Sequence, residues 1–147
     1  MRESTAYGLL LREQQQMHYQ AKAQQLAEIG DMLHRESVNV QDREQRLEKM
    51  RQAASRYEEA LKLVPGHFRA NRGMGVCLVE FTMASGNRAE QRELADGARR
   101  HLQKALEAEN SDAGTFNVLA AFYLGAYSTL LSEAQHQITS IDRRAHV

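Results

Sequence analysis

Small and apolar residues recur along this chain at a fixed distance. Leu26, Ile29, Gly30 and Leu33 read L-x-x-I-G-x-x-L, and Asn71, Met74, Gly75 and Leu78 occupy the same places one period later (75 − 30 = 45). Phe116, Leu119, Ala120 and Tyr123 repeat the pattern after a further period (120 − 75 = 45). A second pattern follows each of the first two copies. Ala53, Tyr57, Ala60 and Pro65 give small residue, large apolar, alanine, helix stop, and Ala98, Leu102, Ala105 and Asn110 give the same series (98 − 53 = 45). Apolar residues three, four and seven apart lie on one helical face, so each set predicts a helix with a packed side.

These faces predict five helices, roughly over 3–36, 41–64, 67–84, 88–109 and 112–141. Pro65-Gly66 stops one helix and permits a tight turn into the next. Asn87 with Glu90 three residues on has the form of a capping box, and Asn39 with Asp42 is a weaker version. Asn110-Ser111-Asp112 supplies stop and cap residues. The glutamine run Gln14 to Gln16 is a candidate break in the first helix, while Tyr7, Leu10 and Leu11 are expected to cap the open end of a stack or to meet a partner. The tail over 141–147 is mostly polar and reads as frayed. Gly30, Gly75 and Ala120 are the expected points of close helix approach, because a glycine inside a helix costs about 0.5–1 kcal/mol and calls for a packing reason. Ala53, Ala60, Ala98 and Ala105 serve the second helices in the same way, with Leu33, Tyr57, Leu78, Leu102 and Tyr123 filling the space between.

Together the two patterns resemble the halves of the tetratricopeptide repeat, W-x2-L-G-x2-Y followed by A-x3-F and a terminal proline. The fullest first half is FNVLAAFY, Phe116 to Tyr123; the fullest second half runs from Ala53 to Pro65, with Tyr57 in the place of the phenylalanine. The family period is about 34 residues, so each unit here carries about 45 − 34 = 11 more, close to three helical turns. Such an insertion lengthens the helices without rotating their faces. The leading aromatic survives only as Phe116, being Leu26 and Asn71 in the earlier copies. The resemblance spans roughly residues 20 to 127. It implies an all-α fold, one domain of antiparallel helix pairs stacked as a short superhelix, with repeats at about 20–65, 66–110 and 111–147.

Composition narrows the function classes. Lys plus Arg and Asp plus Glu are 19 each, so the chain of 147 residues has no basic excess with which to displace counterions from nucleic acid or an acidic membrane. One proline and no tryptophan accompany abundant Ala, Leu, Glu, Gln and Arg, which favours helices. The single cysteine, Cys77, forms no internal disulfide and sits in an apolar stretch as a small core hydrophobe. The opening MRESTAYGLLLREQQQ does not read as a secretory signal, and no run approaches the roughly 18 apolar residues of a membrane span. A cytoplasmic location is the expectation.

Nothing in the sequence has the form of an active site. His18, His34, His67, His101, His136 and His146 are scattered, none paired with another histidine or with Cys77 at the i, i+3 or i+4 spacing of metal ligands. Gly73-Met74-Gly75 lacks the preceding strand and third glycine of a phosphate loop, and Glu58 and Glu59 read as a charged helix surface. Neither a metal nor another cofactor is expected, nor an enzyme.

The resemblance implies binding instead. In that family the first helices of successive pairs line a concave groove, here drawn from Gln24, Asp31, His34 and Arg35 in the first copy and Arg69, Arg72, Val76 and Glu80 in the second. Asn117 and Ala121 are the third copy's contribution. Arg69 and Arg72, at i and i+3, have the geometry to hold a carboxylate or an acidic peptide, with Asp31 and Glu80 opposing them. The expected partner is a protein or peptide segment, and the function that of an adaptor, scaffold or chaperone. The alternative is a structural subunit or homodimer that hides its open ends, for which Phe68, Phe81, Met83 and Leu131 are contact candidates.

Overall fold

A computed structural model describes residues 2–108 and, beyond them, Gly125 alone. The described chain is all-helical: α1 (Arg2–Val38), α2 (Arg43–Leu63), α3 (Phe68–Ala84) and α4 (Arg88–Glu107). These four correspond to the first four helices expected from periodicity, while the fifth, over 112–141, lies outside the described residues. α1 runs without interruption through the glutamine run, so the candidate break near Gln14 to Gln16 is not taken. Glutamine is a good helix former, and three in a row give the helix no reason to stop.

The boundaries follow from local chemistry. Asp42 caps α2, its side chain accepting the Gln45 N–H at 2.9 Å. Asn39, the cap expected from sequence, instead closes α1, its N–H donating to the Glu36 carbonyl at 3.2 Å. Asp42 prevails because it directly precedes the first helical turn, where its carboxylate also meets the positive end of the helix dipole. Val64, Pro65 and Gly66 then turn the chain into α3, with His67 N–H donating to the Val64 carbonyl at 3.1 Å. Asn87 caps α4 as expected, accepting the Glu90 N–H at 3.1 Å. Glu90 does not complete the reciprocal half of the box. Its carboxylate takes the Ser85 hydroxyl at 3.0 Å, and Ser85 Oγ accepts the Asn87 N–H at 3.2 Å.

Packing is sequential. α1 lies on α2 and α3 on α4, with smaller contacts between α2 and α3 and between α1 and α3; α4 meets no described helix other than α3. The core forms two clusters. One joins Ala23, Ala27, Ala53, Tyr57, Ala60, Ala70 and Cys77; the other joins Phe68, Val79, Ala98, Leu102 and Ala105. All four alanines expected to pack, Ala53, Ala60, Ala98 and Ala105, are buried. Phe68 and Phe81 belong to the packed interior, whereas Met83 is exposed; Leu131 lies outside the described residues.

Close approach is concentrated at glycines. A Cβ on Gly30 would come within 2.6 Å of the Tyr57 ring, and one on Gly75 within 2.6 Å of Leu102. The two pairs have the same separation along the chain (57 − 30 = 27 and 102 − 75 = 27), so the sequence repeat is also a packing repeat. Gly73, which sequence reasoning considered only as a failed phosphate loop, is tighter still: a Cβ there would overlap the Tyr57 ring. Asn71 breaks the repeat. It is fully buried, its amide donating to the Pro65 carbonyl and its oxygen meeting His101 Nδ1, both at 3.0 Å. That bridge ties α4 to the α2–α3 turn where the first copy has an apolar leucine.

The first half of α1 is met by no described helix except the end of α2, where Leu63 lines a cavity with Glu13 to Gln20. No residue from Thr5 to Lys22 is buried, and Tyr7, Leu9, Leu10, Leu11 and Met17 are exposed. At 37 residues α1 is about 55 Å long, well beyond the roughly 32 Å of α2.

Glycine substitutions separate these two environments. Gly73→Ala is expected to lower unfolding stability by roughly 1–3 kcal/mol in a denaturant titration, because the overlap with Tyr57 outweighs the gain in helix propensity. Gly8→Ala, with nothing within 4 Å, is expected to raise helix content without loss of stability. Equal behaviour of the two variants would remove the argument for a wedged Tyr57.

Candidate binding cleft at the α1–α3 seam

The first helices of the two pairs meet along a polar line. Gln24 Oε1 and His67 Nε2 lie 3.1 Å apart, Arg69 Nη1 reaches Glu28 at 3.3 Å, Arg69 Nε reaches Asp31 at 3.2 Å, and His34 Nε2 reaches Glu80 at 3.4 Å. Each pairing joins the α1 side to the α3 side. Helical spacing explains the ladder: Gln24, Glu28, Asp31 and His34 fall at intervals of four, three and three, so they form one stripe of α1.

Beside this line is a cleft of about 300 Å³, lined by Asp31, His34, Arg35, Tyr57, Arg69, Arg72, Gly73 and Val76. Of the ten groove residues expected from sequence, six line it and two more, Gln24 and Glu80, stand in the adjoining seam. Asn117 and Ala121 lie outside the described residues. Sequence reasoning missed three participants. Tyr57 and Gly73 were read as core or dismissed, and His67 was seen only as an isolated histidine, although its place directly before a helix after Pro-Gly was a capping signal.

Asp31 is the electrostatic centre. Its Oδ1 accepts the Tyr57 hydroxyl, and its Oδ2 faces Arg69 Nε at 3.2 Å and Arg72 Nη2 at 3.9 Å. The carboxylate expected to come from a partner thus has a counterpart within the chain for Arg69, which is further held by Glu28. Arg72 is less committed: its one carboxylate is distant, and its guanidinium lies over the Phe68 ring at 5.2 Å. Arg35 is exposed on the cleft wall and makes no ion pair among the described residues. The cleft therefore presents one cation without an ion pair among the described residues, Arg35 of α1, and a second, Arg72 of α3, that is only loosely paired with Asp31.

Protonation states follow the same contacts. Burial, and then the bond to Asp31, pushes the Tyr57 phenol far above its ordinary range, so it remains a donor. The Glu80 hydrogen bond raises His34 above 6.5 against the opposing effect of burial. Burial, reinforced by Arg69, lowers His67. Cys77 is fully buried and burial pushes its thiol up to about 12, so the nucleophilic thiolate is suppressed. Among the described residues no group of three or more His, Cys, Asp or Glu side chains could hold a metal ion, and no helix is long and apolar enough to cross a membrane.

No protein-family model, curated protein or solved structure matches this chain. The functional reading therefore rests on the cleft's own geometry.

The Tyr57–Asp31 bond joins the core to the cleft, and its removal tests that link. Tyr57→Phe is expected to cost about 1–2 kcal/mol, a hydrogen bond to a charged acceptor that retains a second partner. In a double-mutant cycle with Asp31→Asn, a coupling near zero would show that the two residues act independently.

Proposed function

We propose that the chain is a protein-binding module of tetratricopeptide type that holds a segment of another protein against the α1–α3 seam and catalyses nothing. The observation that carries this reading is the convergence of eight residues from two separate repeats on one cleft and its rim. Two further features support it. The Gly30–Tyr57 and Gly75–Leu102 pairs recur with the sequence period, and α1 touches α3 while α4, among the described helices, contacts only α3, as expected of a stack in which each pair meets its neighbour. The role is that of an adaptor, scaffold or chaperone in the cytoplasm.

A second reading, a structural subunit or homo-oligomer, is favoured by the exposed apolar residues on the first half of α1. The two readings differ in which surface must be covered.

A photo-crosslinking residue placed at Val76 is expected to trap a partner protein in cells, whereas the same residue at Arg56, on the exposed side of α2, is expected to trap none. Replacing Arg35 and Arg72 together by Glu should reduce the Val76 adduct at least about tenfold, the effect of losing roughly 1.4 kcal/mol. Equal trapping from both positions would reject the cleft as the binding face. Light scattering across concentrations addresses the second reading: a dimer or larger species that dissociates on Leu10→Glu would favour α1 as a self-association surface.

A further inference from the structure

The α1–α3 seam is closed at each end by a histidine, and the two rings are wired in opposite senses. At one end His34 of α1 faces the Glu80 carboxylate of α3 at 3.4 Å. At the other, His67 caps α3: its Nδ1 accepts the Ala70 N–H at 3.2 Å, so that nitrogen carries no proton. The proton of the neutral ring then sits on Nε2, where it donates to Gln24 Oε1 at 3.1 Å. A second proton on His67 would set a donor against the Ala70 donor and undo the cap. A second proton on His34 has the reverse effect, placing a cation against Glu80.

We infer that the seam is a pH-tuned clasp, tightest within a window and loosening on either side of it, while the Arg69 pairs to Glu28 and Asp31 hold throughout. Acid undoes the His67 cap on the first turn of α3; alkali weakens the His34–Glu80 link between α1 and α3. This regulation rests on the cleft being the binding face, but the clasp itself operates without a partner.

The surrounding charges support the opposite wiring. His34 is faced by Glu80 from α3 and by Asp31 on its own helix, and shares the cleft with Arg35 of α1, Arg69 and Arg72 of α3 and the Tyr57 phenol of α2. His67 is acted on by Asp31 of α1 and Arg69 of α3. The raised His34 contributes its full stabilisation below its ordinary value of 6.5 and loses it as pH rises through the folded value. The lowered His67 contributes fully above 6.5 and loses it as pH falls through the folded value. The seam is therefore tightest near the point where the two ranges meet.

The test uses the full chain without ligand, followed by NMR and thermal unfolding between about pH 5 and pH 8. In the wild type, protection of the Ala70 amide against hydrogen exchange should fall about fivefold from pH 6.5 to 5, the effect expected of a lost cap. In His67→Asn, which keeps a capping acceptor that does not titrate, it should stay constant; His67→Ser serves the same purpose should the first variant fold poorly. Tm should decline on both sides of the window. His34→Gln should flatten the alkaline side, and His67→Asn should reduce the acid side, leaving the part due to the similarly lowered His101. Ala70 protection that does not change with pH in the wild type, or an alkaline profile unaltered by His34→Gln, would overturn the clasp. Either result leaves the Val76 crosslinking outcome untouched, so the clasp and the binding role fail separately.

Discussion

A tyrosine ring held between two glycines determines how these helices meet. Gly30 on α1 and Gly73 on α3 leave room for Tyr57 of α2 because neither has a Cβ, and the ring fills that space almost without solvent exposure. Its hydroxyl could not be left unpaired there, since a buried polar group without a partner costs about 1–3 kcal/mol. Asp31, one residue after Gly30, supplies the acceptor. The same residue then orders Arg69 and approaches Arg72. Core packing thus fixes the position of the cleft's central anion, and the arginines arrange themselves around it.

The two kinds of interface differ in chemistry. Within each helix pair the contact is apolar and close, through alanines, Tyr57 and Leu102. Between the first helices it is a line of hydrogen bonds and ion pairs, several of them half-exposed. Exposed ion pairs contribute roughly 0–1 kcal/mol each, so the two pairs are joined chiefly by the apolar core, where Ala70, Gly73 and Cys77 of α3 meet α1 and α2.

Much of this architecture was legible in the sequence because a period leaves a record. Gly30 and Gly75 could be matched by spacing alone, and the four described helices end within a few residues of the expected boundaries. What the period could not encode was what differs between copies. Gly73 has no glycine counterpart in the first copy, where position 28 is glutamate, so its role appears only when Tyr57 is seen against it. Asn71 replaces a leucine and takes a hydrogen-bonding duty that no apolar template predicts. Asp31 looked like a charge opposing ligand binding, and geometry makes it the organiser of the arginines instead. Side-chain partners drawn from three helices are invisible to a reading that follows one helix at a time.

The long first helix gives the seam a mechanical reach. Residues 2–22 extend about 31 Å past the packed portion of α1, and each degree of tilt at the root moves the tip by about 0.5 Å. The packed root of α1 thus sets where its exposed apolar residues, Tyr7, Leu9, Leu10 and Leu11, stand.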